Sequence, residues 1–572
     1  MVTISAPAGT LARPKTGGLR LEHVVMGGAI ASLIVLVVLP LLSLILGSVS
    51  SEDDGFSAGN FIRAMERPLY YRALINSLVL GAWTGLFSLL MGLPLAWAVS
   101  RTNTPFKGFI KLTASLSYLT PPFLTAIAFV NLFGPNAGLI NNFLRGIGLD
   151  FLTFNVFSMA GLVLVTVLHT FPFVYLLAAS ALESVDASYE ESAQILGAGK
   201  WRTALQITAP LVAPAVLSGT LLAFVNAIAL FGSQAIVGIP GRIYTLPTRI
   251  YALFDYPPQY GLASALSLIF VAITVIALFL QRGYLARRSY VTLGGKGSRP
   301  QLIDLGPWRW ATFGFATAVF LVAIAAPYAS LIGVSFIKSV GLWSWENLTL
   351  QHYRFVLFQY DVTQRAIGNS LLLACLAATL AVLIGAIIGW IDLRTRLTGR
   401  RLLDYASLIP LGLPGIVMAV ALIQFWLATP FQLYGTILIL LLAYTGRYIP
   451  LGVRAANASL RQVDSSLEES AHILGASWLQ TMRHITLPLI RPGLFAGWLL
   501  VFVPAIQELS ASILLFSSSS ITVAVAIFNL YETGYIEPVS ALANINMLII
   551  GVAILIAHRL GRSPAGTPRS SD

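Results

Sequence analysis

Long apolar runs, separated by short polar stretches, occupy most of the chain. Each run has roughly the 20 residues that a helix needs to cross a bilayer, and we count about twelve of them. Polarity does not alternate over segments of about ten residues, as it would in a transmembrane barrel. The pattern therefore predicts an all-α polytopic membrane protein. The spans are expected near residues 24–49, 74–99, 112–133, 158–182, 211–237, 262–280, 309–334, 366–390, 405–428, 436–459, 489–515 and 538–557.

One polar segment occurs twice. Residues 182–214 read LESVDASYEESAQILGAGKWRTALQITAPLVAP, and residues 460–492 read LRQVDSSLEESAHILGASWLQTMRHITLPLIRP. Aligned without a gap, 18 of the 33 positions are identical, although loop sequence normally drifts faster than the elements it joins. Six spans separate the copies, so the sequence predicts two parallel six-helix repeats related by an axis along the membrane normal.

The repeat also divides the chain. Residues 281–308 are basic and rich in Gly and Pro, which is typical of a flexible linker. The expected organisation is a cytoplasmic tail, a first repeat, a cytoplasmic linker, a second repeat and a second cytoplasmic tail. These units cover residues 1–20, 21–280, 281–308, 309–558 and 559–572.

The net charge of +12 is compatible with a nucleic-acid partner, but in a membrane protein the placement of Lys and Arg indicates orientation instead. With the repeated segments in the cytoplasm, 26 of the 35 Lys and Arg residues fall on that side. We therefore expect both termini in the cytoplasm and no nucleic-acid partner. The single cysteine, Cys375, excludes an internal disulfide and a multi-cysteine metal site.

Each copy of the polar segment has the pattern of a short helix followed by a turn. Residues 188–191 and 466–469 both read Ser-x-Glu-Glu, which predicts a capping box at the start of the helix. Gly197 and Gly475 lie where that helix would end in a left-handed cap. A second short helix is then expected to lead to a proline that opens the next span. The alternative to a functional role is that Glu191 and Glu469 only cap their helices, in a well-folded loop that both halves of the chain have retained.

The motif E-E-S-A-x-x-L-G-A followed by I-T-x-P resembles the EAA loop of permease subunits of bacterial ATP-driven (ABC) importers. The resemblance implies a type I importer permease fold and a loop that couples to a cytoplasmic ATPase subunit. Two loops in one chain imply a fused permease in place of the usual dimer. The matching residues are Glu190, Glu191, Ala193, Gly197 and Pro210 in the first loop, and Glu468, Glu469, Ala471, Gly475 and Pro488 in the second. Ser192 and Ser470 replace the usual first Ala, a small change that a helix accepts.

The chain lacks a sequence for ATP hydrolysis. The nearest string to a phosphate-binding loop, at residues 294–298, has the wrong spacing. We therefore expect no enzyme activity, no cofactor bound by this chain, and ATP used by two separate ATPase subunits. The external loops are too short for a binding domain, which implies a separate extracytoplasmic solute-binding protein. The resemblance also implies the bacterial inner membrane.

An ionisable group inside a span is a functional candidate by default. Glu508 lies in VPAIQELSASILL, and the equivalent position in the first half is Leu230. Its carboxylate is expected either to attract a cation in the translocation path or to cap a helix near the outer surface. His169 and Arg447 occupy matching positions, where packing or salt-bridge roles near the cytoplasmic end are favoured over ligand contact.

The strings ELSASILL and PQYGLASALS resemble those of the ferric-iron importer group. That group is not sharply separated from transporters for thiamine, phosphonates and polyamines, so these solutes remain alternatives. Ferric iron is a hard ion that prefers oxygen ligands such as carboxylate, which is compatible with Glu508. No metal site is assigned. A twelve-span secondary transporter is the main rival class, but it would usually carry a relay of carboxylates within its spans. An intramembrane enzyme is disfavoured because no H-E-x-x-H or nucleophile motif is present.

Overall fold

The computed structural model describes residues 21–50, 55–287, 302–340 and 345–561, and these residues form helices joined by short loops. In the described residues, ten helices are long and apolar enough to cross a membrane, and the number is twelve when each of two bent helix pairs is counted as one span. The predicted all-α fold with about twelve spans is confirmed. The spans, numbered in chain order, are His23–Val49, Pro68–Arg101, Lys107–Leu119 with Pro122–Phe133, Met159–Ser184, Ala204–Ala229, Tyr260–Gln281, Trp308–Ser335, Val362–Arg394, Arg400–Gly412 with Gly415–Leu427, Ile437–Arg461, Trp478–Ile506 and Ile536–Ile556.

Shorter helices lie between the spans. Two of them belong to the repeated polar segments, and we name Ala187–Ile195 loop helix A and Ser465–Ile473 loop helix B. The other short α-helices are Gly59–Glu66, Leu139–Gly146, Leu246–Ala252, Gln351–Arg354, Ser512–Leu515 and Val523–Glu532.

Spans 3 and 9 are not the continuous helices that the sequence predicts. The two helices of span 3 meet at 98°, and those of span 9 meet at 109°. Each break contains proline, at Pro121 and Pro414, in an extended backbone conformation. Proline cannot donate a backbone hydrogen bond, and it drives the residue before it out of the helical region. The apolar pattern continues across the break, so hydropathy alone hides it.

The starts of spans 5 and 11 also differ from prediction. Pro210 and Pro488 do not open these spans, because the helix that begins at Lys200 or Trp478 runs on through the proline. A wide π-turn lies just before each proline, at Ala204–Thr208 or Met482–Thr486. It makes room for the proline ring, which has no backbone N–H to donate to the helix. Spans 1 and 7 use the same device before Pro40 and Pro327. The equivalent proline of each half thus lies within a continuous helix.

The two halves interlock through their first spans. Span 1 packs between span 6 of its own half and span 9 of the other half. Span 7 makes the corresponding contacts, with span 12 of its own half and the second helix of span 3. The body of each half is a bundle of spans 2, 4 and 5, or of spans 8, 10 and 11. The matching arrangement is what two parallel repeats require.

The predicted linker is shorter than expected at its start, because the helix of span 6 continues to Arg287. Residues 288–301 lie outside the described residues, as do the tail 1–20 and most of the tail 559–572, of which the last helix includes the part up to Gly561. After the gap the chain packs against the end of span 2. Ile303 donates its backbone N–H to the Arg101 carbonyl at 2.8 Å, and it accepts from the Asn103 N–H at 3.2 Å.

Candidate functional site

An aspartate starts each loop helix. The Asp186 carboxylate accepts a hydrogen bond from the Ser188 N–H at 2.9 Å, and the Asp464 carboxylate accepts from the Ser466 N–H at 3.0 Å. The predicted capping boxes at Ser188 and Ser466 are therefore wrong, since both serines lie inside the helix. Aspartate is a strong N-cap residue and comes first along the chain. Hydrogen bonds from Ser466 hold the pKa of Asp464 below its ordinary value.

A glycine in the left-handed region ends each loop helix, as the sequence predicts. The φ angle is +83° at Gly197 and +86° at Gly475. The N–H after each glycine reaches back five residues, from Ala198 to the Ala193 carbonyl at 2.9 Å and from Ala476 to the Ala471 carbonyl at 3.0 Å. This bond satisfies a carbonyl that the helix end would otherwise leave unpaired. Ala193 and Ala471 are buried on the inner face of the turn.

A three-residue bridge fixes the first loop helix to the spans. The Glu190 carboxylate forms an ion pair with Arg101, the last residue of span 2, at 3.3 Å. It also accepts a hydrogen bond from the Thr208 hydroxyl at 2.6 Å. The Arg101 side chain is only 1% exposed, whereas that of Glu190 is 13% exposed. The loop helix is therefore tied to span 2 and to the start of span 5 through one carboxylate.

The second half repeats the bridge. The Glu468 carboxylate lies 3.4 Å from Arg394, the last residue of span 8, and accepts from the Thr486 hydroxyl at 2.8 Å. Each arginine also donates to two backbone carbonyls, which lie at the end of span 4 for Arg101 and at the end of span 10 for Arg394. Arg101 donates to Leu182 and Val185 at 2.7 and 3.1 Å, and Arg394 donates to Leu460 and Val463 at 2.9 and 2.5 Å. These carbonyls are the unpaired acceptors at a helix C-terminus, where positive charge is favourable.

The sequence pattern does not identify Arg101 and Arg394 as site residues, because on its own it marks them only as charges that indicate orientation. A signal was present, because Arg101 and Arg394 are 293 residues apart, the same spacing that relates Asn76 to Asn369. These asparagines also have equivalent roles. Each donates to a backbone carbonyl in the segment before the last span of its half, Asn76 to Tyr244 and Asn369 to Ile521.

The outer surface of each loop is apolar at its tip. Ile195 and Leu196 are 86% and 87% exposed, and Ile473 and Leu474 are 84% and 86% exposed. The second glutamates of the motif, Glu191 and Glu469, are also on the exposed side. A matched pair of exposed apolar tips on rigid supports is typical of a surface that another protein covers.

Glu508 lies outside these loops in a polar cluster of the second half. The helix of span 11 ends at Ile506, earlier than the predicted residue 515, so Glu508 follows the helix rather than sitting within it. Its carboxylate pairs with Arg447 at 3.2 Å and accepts from the Tyr448 hydroxyl at 2.7 Å and the Ala511 N–H at 2.9 Å. The carboxylate is 5% exposed and fully bonded in this conformation.

Arg447 and its counterpart His169 have different surroundings. Arg447 forms the salt bridge that the sequence favours, but its place is not near the loop end of span 10. Fourteen residues separate it from Arg461, about 21 Å of helix. His169 stacks on the Tyr118 ring, with the two ring centres 6.4 Å apart. Leu230 occupies the position of Glu508 in the first half, so this partly buried ion pair belongs to the second half alone.

The segment after span 11 also contacts the first half. The Gln507 side chain donates to the Leu119 carbonyl at the break in span 3, at 3.0 Å. A Cβ atom on Gly232 would lie 2.9 Å from the Leu509 side chain and 2.7 Å from Phe123. The residues around Glu508 are thus packed where the two halves meet. The described residues contain no group of three His, Cys, Asp or Glu side chains that could hold a metal ion.

The fold and its paired loops define a fused membrane permease, with one loop for each half. The family model for the inner membrane component of binding-protein-dependent transport systems matches residues 85–290 and 381–563. The chain belongs to this family, whose members are permease subunits of ABC importers. The predicted membership and the predicted permease class are confirmed, and the chain is a multi-span protein of an inner-membrane family.

Some relatives align with most of the chain and others with about one half of it. The ferric transport system permease protein FbpB of Actinobacillus pleuropneumoniae is 28% identical over 539 residues, 92% of this chain and 77% of that protein. The molybdenum transport system permease protein ModB of Escherichia coli K12 is 31% identical over 221 residues, 38% of this chain and 94% of that protein. A solved bacterial ABC transporter involved in import of the acidic polysaccharide alginate shows a TM-score of 0.41 at 18% identity, covering 47% of this chain and 96% of that chain.

Proposed function

We propose that this chain imports ferric iron that a separate extracytoplasmic binding protein delivers, driven by two separate ATPase subunits. The observation that carries the proposal is the duplicated loop device, with the same Arg–Glu–Thr bridge and the same exposed apolar tip in each half. Two equivalent rigid surfaces suit two copies of one partner. In this proposal the loops, the linker and both termini lie in the cytoplasm.

The bridges suggest how movement of an ATPase reaches the membrane. A docked subunit that shifts loop helix A also shifts Glu190, which is bonded to span 2 through Arg101 and to span 5 through Thr208. Loop helix B has the same connections to spans 8 and 11. Closure of the two ATPases would therefore rock the two helix bundles against each other, which is alternating access by rigid-body motion.

Ferric iron is favoured over other solutes by the pattern of relatives. The relatives named as ferric permeases align across both halves, whereas the relative named for molybdenum aligns with one half. Glu508 remains the path residue that we propose, and its carboxylate is a hard ligand suited to a ferric ion. In the present conformation Arg447 neutralises it, so solute contact would require that this ion pair opens.

Reconstitution in liposomes tests the proposal. The purified chain is combined with a candidate ATPase and a candidate binding protein, and ATP hydrolysis is measured with ferric-loaded and empty binding protein. We expect stimulation by the ferric form. Stimulation only by a binding protein loaded with thiamine, a phosphonate or a polyamine would discard iron and keep the importer class. Transport driven by an ion gradient without any ATPase would instead support a secondary transporter.

A further inference from the structure

An apolar groove lies along the seam between the halves, on the side of the first half. It encloses about 740 Å³ and is lined only by apolar side chains, which come from spans 2 and 4 of the first half and span 7 of the second. Phe87, Leu164 and Val322 represent the three walls. Trp83, Phe87 and Leu90 are 46%, 44% and 56% exposed, so the groove opens onto the surface that faces the bilayer.

A sequence difference between the two halves coincides with the groove. In the second half, span 1 lies directly on span 10 at Gly446, where an added Cβ would be 3.1 Å from the Leu36 carbonyl oxygen. The equivalent position in the first half is Leu168, which is buried and lines the groove. Small residues let membrane helices approach closely, and a leucine holds them apart. Span 1 therefore contacts span 10 in the second half, whereas at the equivalent place in the first half span 7 is held away from span 4.

A second cavity continues the groove toward the side of the repeated loops. It encloses about 730 Å³, shares Phe315 with the groove, and is lined at its far end by Trp97, Trp308 and Thr312 together with residues 303–305. Tryptophan is enriched at the membrane interface, where an apolar ring meets polar headgroups. The combined space is apolar along the spans and mixed in polarity at their ends.

From these features, we infer that one phospholipid of the leaflet on the loop side is bound between the halves. An acyl chain occupies the groove between spans 2, 4 and 7, and the glycerol region lies against Trp97 and Trp308. Water is a poor occupant because the groove offers it no polar partner. The groove faces the hydrocarbon of the bilayer. An acyl chain there makes the dispersion contacts that span 7 cannot make with span 4, because Leu168 holds the two helices apart. The lipid acts as a structural ligand of the seam.

Photocrosslinking tests this inference. The full chain is loaded in nanodiscs with phosphatidylethanolamine that carries a diazirine midway along one acyl chain, washed with detergent to remove loosely bound lipid, and then irradiated. We expect retained adducts in residues 83–91, 159–168 and 315–322. The matching segments of the opposite seam, 376–384 and 437–446 of the second half with 28–35 of span 1, should lose their adducts in the wash. Equal retention in both halves would overturn the inference.

Filling the groove provides a second test. Ala318 is exposed within it, and Ala318→Phe is expected to abolish the retained adduct. Ala31 is the equivalent exposed residue of span 1, so Ala31→Phe is a matched control that should leave the adduct unchanged. If Ala318→Phe fails to fold, Ala160→Phe fills the groove from span 4. Full retention of the adduct in a folded groove-filling variant would contradict a bound lipid at this place.

Discussion

Replacing Arg101 with methionine should release the first loop helix while leaving the spans folded. The substitution removes the ion pair with Glu190 and both hydrogen bonds to the end of span 4, but keeps a long apolar stem in the buried site. Breaking a buried pair by removing one partner typically costs about 3–5 kcal/mol, because the other charge stays buried and uncompensated. Glu190 is 13% exposed and keeps Thr208, so the low end, about 3 kcal/mol, applies here.

Hydrogen exchange can measure this loss. If the local opening free energy of residues 187–195 falls by about 3 kcal/mol, their amides exchange on the order of 100-fold faster, since each 1.4 kcal/mol is tenfold. A double variant that also carries Glu190→Gln removes the uncompensated charge and should recover part of the protection. Arg394→Met is the matched control, which should loosen residues 465–473 and leave loop helix A protected. Unchanged exchange in Arg101→Met, or no recovery in the double variant, would refute the bridge as an anchor.

Three further results are expected. Gly197→Ala places a side chain at positive φ, which costs about 1–2 kcal/mol, so the end of loop helix A should exchange faster. The control Gly199→Ala meets no atom within 4 Å and should be neutral; equal effects of the two would contradict the left-handed cap. Glu508→Leu should lower the thermal unfolding temperature by leaving the partly buried Arg447 without its carboxylate partner, while adding Arg447→His, which gives the composition of the first half, should recover it. Because the pKa of Asp464 is depressed in the folded state, its cap contributes stability above the unfolded pKa of about 3.9 and loses it as pH falls through the folded value. The protection factor at the start of loop helix B, which corrects for the pH dependence of intrinsic amide exchange, should therefore fall on acidification in the parent protein, and Asp464→Asn should remove that dependence; an equal fall in both would reject it.

Hydropathy and self-similarity predicted the architecture because the bilayer imposes both. A spanning helix must be apolar over its whole length, and a duplicated polar loop is conspicuous against that background. Gly197 and Gly475 were predictable as helix ends since few other residues accept positive φ. The local pattern was thus sufficient for the features that depend on local geometry.

Features that depend on distant residues were not predictable in the same way. Glu190 and Glu191 are equivalent in the sequence, yet the first is bonded to Arg101 and the second lies on the exposed side. That difference arises from the approach of span 2, 89 residues earlier in the chain. The bend in span 3 lies at the adjacent Pro121 and Pro122 and leaves the apolar pattern intact. The groove beside Leu168 is recognised only when the helix packing of the two halves is compared in three dimensions.

The central claim is that each loop of this single chain docks one ATPase subunit, and the mass of the purified complex tests it most directly. Native mass spectrometry of the chain with its ATPase should give two ATPase copies per chain. Replacing Ile195 and Leu196 with serine should reduce this to one copy, as should the same change at Ile473 and Leu474, since each pair forms one exposed apolar tip. A complex that keeps two copies after both tips are changed, or that never contains more than one, would contradict the account.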